Sequence, residues 1–281
     1  MTLEQAIFLA ILQGISELFP VSSLGHAVLV PALLHWTIKR DDPTYLAFLV
    51  VLHLGTGLAL MAFYWSTWAK LGVAFWRAVV RGRISNDPDE HLAWLLIAGT
   101  VPIGILGVFL EQPVRVFLGS TILVACFLVL NGLVLFLGNA LRRRVRVSEQ
   151  AIPQLSLGEG ALIGAAQGFS LLPGVSRSGC AMVAGLLRGL SHEEAARFAF
   201  LLATPVIFAA AVLEIPKLCA PGVHLALVNA CVGGVVAAVT GYLTVAFLTR
   251  YFQANDLRPF AWYCVLLGAV TIVLTLMKVV V

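Results

Sequence analysis

Two short polar stretches hold the residues of this chain that could do chemistry. Gln13 to His26, QGISELFPVSSLGH, sets an amide, a carboxylate, hydroxyls and an imidazole inside an otherwise apolar segment. Gln167 to Cys180, QGFSLLPGVSRSGC, aligns with it without a gap, matching Gln13 with Gln167, Gly14 with Gly168, Ser16 with Ser170, Val21 with Val175, Ser22 with Ser176 and Gly25 with Gly179. Glu17 and His26 belong only to the first copy and Arg177 only to the second, so the copies are related in shape and divided in chemistry. On a helix Gln13 and Glu17 share a face, as do Ser22 or Ser23 with His26. Arg177 with Ser176 and Ser178 beside it, at the start of a half-helix, makes a seat for a phosphate oxyanion. Serine or histidine then serves as nucleophile or proton donor, with Glu17 as base or orienting group. Together these parts point to phosphoryl transfer on a membrane-embedded substrate, a reaction in which positioning and charge stabilisation carry most of the catalysis.

The scaffold that must position them is a membrane protein. Hydrophobic residues make up 60% of the 281 and charged residues 11%, against a charged fraction of about 25% in soluble domains. An ionisable side chain in lipid is costly unless paired or wetted, so Glu17 and Arg177 point to function by their presence alone. Residues 3 to 35 are too long for one span and break at Pro20-Val21-Ser22-Ser23, where proline removes a backbone donor and serine can cap the next helix. Residues 157 to 190 break in the same way at the Pro173-Gly174-Val175-Ser176 tip. Two short helices meeting at a polar tip form a re-entrant hairpin, tolerated at membrane depth only inside protein or along a wet cavity.

Full spans are expected at about 43–65, 91–110, 117–138, 197–215, 223–249 and 259–280, each roughly long enough to cross a hydrocarbon core of about 30 Å. A connection carrying Lys70, Arg77, Arg81 and Arg83 follows the first span, a tight turn at Glu111 to Arg115 is marked by Pro113, and a basic loop occupies 141–146. The expected fold is an all-α polytopic membrane protein with six transmembrane helices plus two re-entrant helical hairpins in an inverted-topology repeat. It is one integral domain, 1–281, with halves of about 1–140 and 155–281. A hairpin plus three spans crosses the membrane an odd number of times, so its repeat is inverted, and such repeats share a site near the bilayer midplane.

Alternate sides collect lysine and arginine unevenly. One side holds Lys70, Arg77, Arg81, Arg83, Arg142, Arg143, Arg144, Arg146, Arg188, Arg197, Arg250 and Arg258, and the other Lys39, Arg40, Arg115, Lys217 and Lys278, twelve against five. The richer side is expected in the cytoplasm, with both termini outside. Basic residues confined to short loops fit membrane topology and give no reason to expect nucleic acid as a partner. Cys126, Cys180, Cys219, Cys231 and Cys264 contain no CxxC pair and read as small buried hydrophobes. His53 and Asn131, in mid-span, read as interhelical hydrogen-bond partners, and Gly14, Gly25, Gly168 and Gly179 as close-packing residues. His35, His91, His192 and His224 fall near span ends or in loops. The start of the chain lacks a signal-peptide pattern, so Met1 onward is expected to be retained.

The two stretches resemble the signature regions of the bacterial undecaprenyl-diphosphatase family of the bacitracin-resistance type. Gln13, Glu17, Pro20 to Ser23 and His26 match its first motif, and Pro173 to Ser178 its second. Gln13 stands where glutamate is commoner, Leu24 and Ala181 where threonine is usual. The resemblance spans essentially the whole chain. It implies hydrolysis of undecaprenyl diphosphate to the monophosphate on the outer, periplasmic side of the bacterial cytoplasmic (inner) membrane, recycling the lipid carrier for peptidoglycan and envelope polymers.

The resemblance also implies roles. Arg177 holds the diphosphate, Ser23 is the candidate nucleophile with His26 and water as alternatives, His26 carries the proton, and Glu17 activates it. Gln13, Ser22, Gly174, Ser176 and Ser178 complete the substrate-binding set. A divalent cation, Mg2+ or Ca2+, is implied as a bridge on the diphosphate, with Glu17 as its protein ligand; no organic cofactor is. Polyprenyl diphosphate and membrane lipid are the expected partners, and the sequence leaves a homodimer open. A transporter or flippase of the polyprenyl phosphate, suggested by the inverted repeat, is the rival reading. Reporter fusions within the 141–146 loop should read as cytoplasmic; an outside signal there overturns the assigned sidedness.

Overall fold

The computed structural model of the chain describes residues 1–38, 42–115, 120–144, 151–218 and 227–279. Lys39, Arg40, Cys219, His224 and the Val145-Arg146 end of the basic loop lie outside the described residues. Among those described, the chain runs through α1 (Leu3–Ser16), α2 (Ser23–Leu33), α3 (Pro43–Phe63), α4 (Trp65–Arg81), α5 (Pro88–Arg115), α6 (Thr121–Arg144), α7 (Leu157–Ala166), a 3-10 stretch at Gln167–Leu171, α8 (Arg177–Leu187), α9 (His192–Leu218), α10 (Leu227–Tyr251) and α11 (Arg258–Leu276). Six of these, α3, α5, α6, α9, α10 and α11, are long and apolar enough to cross a membrane. Side chains are distributed inside out. Phe109, Val212 and Leu266 point outward, while Gln13, Asn131 and Gln167 are buried. Such a surface is stable against lipid and not against water.

The two broken segments follow from local chemistry. Ser22 caps α2 by accepting from Gly25 N at 3.2 Å, and Ser176 caps α8 by accepting from Gly179 N at 3.1 Å. Each satisfies one of the backbone donors that a helix start leaves without an intrahelical partner. α7 begins with a capping box in which Ser156 and Glu159 bond each other's backbone N–H.

Three expectations need correction. The turn at Glu111 to Arg115 is the last stretch of α5, because the fixed φ of Pro113 suits a helix and costs it one backbone hydrogen bond. The connection carrying Lys70, Arg77 and Arg81 is the helix α4, whose Leu71, Ala74 and Ala78 are buried at helical spacing while all three cations stay exposed. Cys180 and Cys264 are buried as expected, but Cys126 and Cys231 lie exposed on the outward face, where a small apolar side chain suits lipid.

Helix pairing crosses between the two ends of the chain. α1 lies along α10 and α7 along α5, α3 packs on both α10 and α9, and α6 packs on α11. Close approach depends on missing side chains. A Cβ at Gly14 would collide with Thr240 Oγ1 on α10, and one at Gly164 with the carbonyl of Gly99 on α5. Backbone cannot yield as a flexible side chain can. Gly164→Ala should therefore destabilise the purified protein by about 1–3 kcal/mol, the usual cost of overpacking. Gly72→Ala on α4, where a Cβ meets nothing within 4 Å, should leave thermal unfolding in detergent unchanged or slightly improved.

Candidate active site

The breaks after α1 and before α8 bring two tips together. Ser22 adopts a positive φ of 70° and Gly174 one of 109°, a region open to glycine and strained for other residues. Those angles let Gly174 N donate to Ser22 Oγ at 3.2 Å across the gap. Ser178 Oγ donates to Phe19 O at 3.2 Å. Asn131 on α6, 1% exposed, bridges both tips: its Nδ2 donates to Pro20 O at 2.9 Å and its Oδ1 accepts from Ser176 N at 2.9 Å.

At the junction lies Glu17. One carboxylate oxygen pairs with Arg177. The other accepts from Gln13 Nε2 at 3.0 Å and Ser23 Oγ at 2.5 Å, and faces His53 Nε2 at 3.2 Å. Arg177 also donates through Nη1 to Ala203 O on α9 at 3.2 Å. Ser23 and Arg177 are the first residues of α2 and α8, so both sit where helix N-termini favour negative charge.

A cavity of about 360 Å³ adjoins this cluster. Glu17, Ser22, Ser23, His53, Ser176 and Arg177 line one part of it, Ile103, Gly104 and Val108 of α5 with Val206, Ile207 and Ala210 of α9 make most of its walls, and Thr100, Ser170 and Glu214 are further polar residues on the lining. The side chains of Glu17 and Arg177 are 5% and 14% exposed, and that of His53 is 31% exposed. A charged end under an apolar wall suits an anion attached to a hydrocarbon.

The structure brings Glu17, Ser22, Ser23, Ser176 and Arg177 to the cavity and leaves Gln13, His26, Gly174 and Ser178 off its lining. Gln13 reaches it only through Glu17. His26 does not meet Glu17: its Nδ1–H donates to Ser22 O at 2.6 Å and its Nε2 accepts from Tyr263 OH at 2.7 Å. Four residues beyond Ser22 on a helical turn, its ring meets Tyr263 of α11, on which it stacks. The imidazole beside Glu17 is that of His53 on α3. Sequence reasoning assigned His53 to helix packing, although an ionisable residue in an apolar run was the same signal that singled out Glu17.

Asn131→Ala should lower the thermal stability of the purified protein measurably, because it leaves Ser176 N unpaired at about 1–3 kcal/mol and Pro20 O with only the long contact of the Cys264 thiol at 3.9 Å. Ser23→Ala, which removes a donor from an already well-bonded carboxylate, should shift unfolding less. Equal shifts would place the stability of the tips elsewhere.

The chain matches, over residues 6–270, the family model described as bacitracin resistance protein BacA. It is 47% identical over 299 residues to an undecaprenyl-diphosphatase of Mycolicibacterium paratuberculosis, covering 96% of each chain. It is 47% identical over 272 residues to undecaprenyl-diphosphatase 2 of Chromobacterium violaceum, covering 95% of this chain and 96% of the relative. With an undecaprenyl-diphosphatase of Acidiphilium cryptum it shares 46% identity over 274 residues, 96% of each chain.

Proposed function

Because this chain belongs to the bacitracin resistance protein BacA family, we propose that it hydrolyses undecaprenyl diphosphate to undecaprenyl phosphate and inorganic phosphate, recycling the carrier lipid and conferring bacitracin resistance. The observation that carries this reading is the hydrogen bond from Ser23 Oγ to Glu17, beside Arg177, at the charged end of an apolar-walled cavity. Ser23 attacks the terminal phosphorus and Glu17 takes its proton. The bond from that phosphorus to the bridging oxygen breaks, and the lipid monophosphate leaves with the electron pair and the proton returned by Glu17. Water then releases phosphate from Ser23. Arg177, flanked by the start of α8, offsets the negative charge throughout. His26, held by Ser22 and Tyr263, supports the tip in this scheme and does not carry the proton.

The divalent cation fits only in the company of the substrate. Among the described residues no group of three His, Cys, Asp or Glu side chains could hold an ion, and the oxygens of Glu17 already face Arg177, Ser23, Gln13 and His53. Glu17 is the residue that would hold a cation entering on the diphosphate, where its charge would add to that of Arg177.

Two re-entrant hairpins in inverted halves remain our reading of the architecture, supported by the crossed packing of α1 on α10 and α7 on α5. The cavity lining reaches Val108 and Glu214, towards the far ends of α5 and α9 from the arginine-bearing segments before them. That supports an opening on the outer face of the inner membrane.

Phosphate release from undecaprenyl diphosphate by the purified protein tests the reading. Ser23→Ala and Glu17→Ala should each lower kcat at least about 100-fold, and Arg177→Lys should not restore what Arg177→Ala loses, because an ammonium cannot reproduce the guanidinium fork. No release by the parent, with polyprenyl phosphate still bound and carried across vesicles, would favour transport instead.

A further inference from the structure

The His53 ring touches two groups, and both only accept. Nδ1 lies 2.8 Å from the carbonyl oxygen of Leu49, one turn back on α3, and Nε2 lies 3.2 Å from Glu17 Oε2. Each nitrogen therefore carries hydrogen towards its neighbour. The Leu49 contact fixes the ring plane, so Nε2–H arrives at Glu17 from a rigid span and not from the tip itself.

That arrangement matters for the oxygen that faces Ser23. The terminal torsion of glutamate is broad and nearly two-fold, so it does not hold a carboxylate plane by itself. Arg177 holds one oxygen of Glu17, and Gln13 approaches the other from the same α1–tip segment. Apart from Ser23, the hydroxyl to be aligned, His53 is the donor to Oε2 that comes from outside the α1–tip segment. An equivalent brace serves the second tip, where Arg177 is held by Ala203 O on α9, and α3 and α9 pack on each other. The two central spans thus each brace one member of the ion pair.

We infer that His53 is a positioning residue for the reaction, holding Glu17 Oε2 in line with Ser23 Oγ by hydrogen-bond donation from α3. This inference rests on the phosphatase reading and adds a residue to it. What Glu17 needs from position 53 is a donor at that distance, and a glutamine side chain supplies one through its amide.

The test compares His53→Gln with His53→Leu in the full-length protein purified in detergent, with phosphate release and thermal unfolding measured on each. His53→Leu should lower kcat about 100-fold, the scale of a loss from a 1 Å misplacement, with KM changed less than about threefold. His53→Gln should recover most of kcat. A Leu variant with parental kcat overturns the inference. So does a Gln variant as inactive as the Leu variant, which would give the ring a charge or proton role at the substrate. Should the parent itself release no phosphate, the phosphatase reading falls, and the coupling is read from unfolding alone. The shift of the Glu17→Gln, His53→Leu double variant should then be smaller than the sum of the single shifts, and additive shifts sink the coupling.

Discussion

One ion pair, Glu17 with Arg177, constrains the rest of this molecule. Two opposite charges buried among apolar helices belong together, since removing Glu17 leaves Arg177 uncompensated at a cost of about 3–5 kcal/mol and removing Arg177 leaves Glu17 with His53 as its remaining basic neighbour. The pair therefore demands that the ends of two short segments, 160 residues apart in sequence, meet at one place. The tip contacts follow from that demand: Ser22 to Gly174, Ser178 to Phe19, and Asn131 to both tips. So does the crossed packing, because α1 can deliver Glu17 only if α10 holds α1 in place, and Gly14 must then remain without a side chain.

The repeat shows how one shape yields two chemistries. Ser23 and Arg177 occupy the same place in the alignment, each the first residue of a capped 11-residue helix. One position supplies the hydroxyl and the other the guanidinium, and both lie at helix starts that carry roughly half a positive charge each. The preceding helix turns differ as sharply. Gln13 donates to Glu17 four residues later, whereas leucine, Leu171, stands four residues after Gln167, whose buried amide has no hydrogen-bond partner among the described residues. The carboxylate needed for the first tip has no counterpart in the second, which keeps the joined site from holding two negative charges next to an anionic substrate.

Much of this was legible in sequence because the membrane makes polar residues informative. The six spans, the two breaks and the Glu17–Arg177 meeting all rest on apolar run length, proline with serine, and charges with nowhere else to go. What was not legible depends on side-chain direction. His26 lies in the motif but its ring meets Tyr263 of α11, and His53 lies in a plain span but reaches Glu17. Sequence spacing put Ser22 and His26 on one face and could not say whether that face met the cavity. The hydroxyls of Ser22 and Ser178, read from sequence as substrate ligands or helix caps, join the tips, because a strained turn and a helix start have first claim on nearby donors and acceptors, and Ser22 lines the cavity as well. α4 reads as a charged connection in sequence because its lysine and arginines are conspicuous, while the buried Leu71, Ala74 and Ala78 keep helical spacing beneath.

The cavity also bears on how a long lipid is recognised. At about 360 Å³ it lies near the lower end of the range of about 300–1,000 Å³ that holds drug-sized ligands. A diphosphate and the first part of an isoprenoid fill such a space, and the remainder of a polyprenyl chain must stay in the surrounding lipid. Ile103, Val108, Val206 and Ala210 offer the substrate dispersion contacts, and the polar residues elsewhere on the lining, Thr100, Ser170 and Glu214, form no regular ladder along which isoprene units could be counted. Discrimination then falls on the charged end, where Arg177 and the two helix starts meet phosphate oxygens. Hydrocarbon leaving the cavity for the bilayer changes little in free energy, since lipid tails are as apolar as the walls. A site built this way selects its substrate by the headgroup and by the requirement that the headgroup be carried on a membrane anchor.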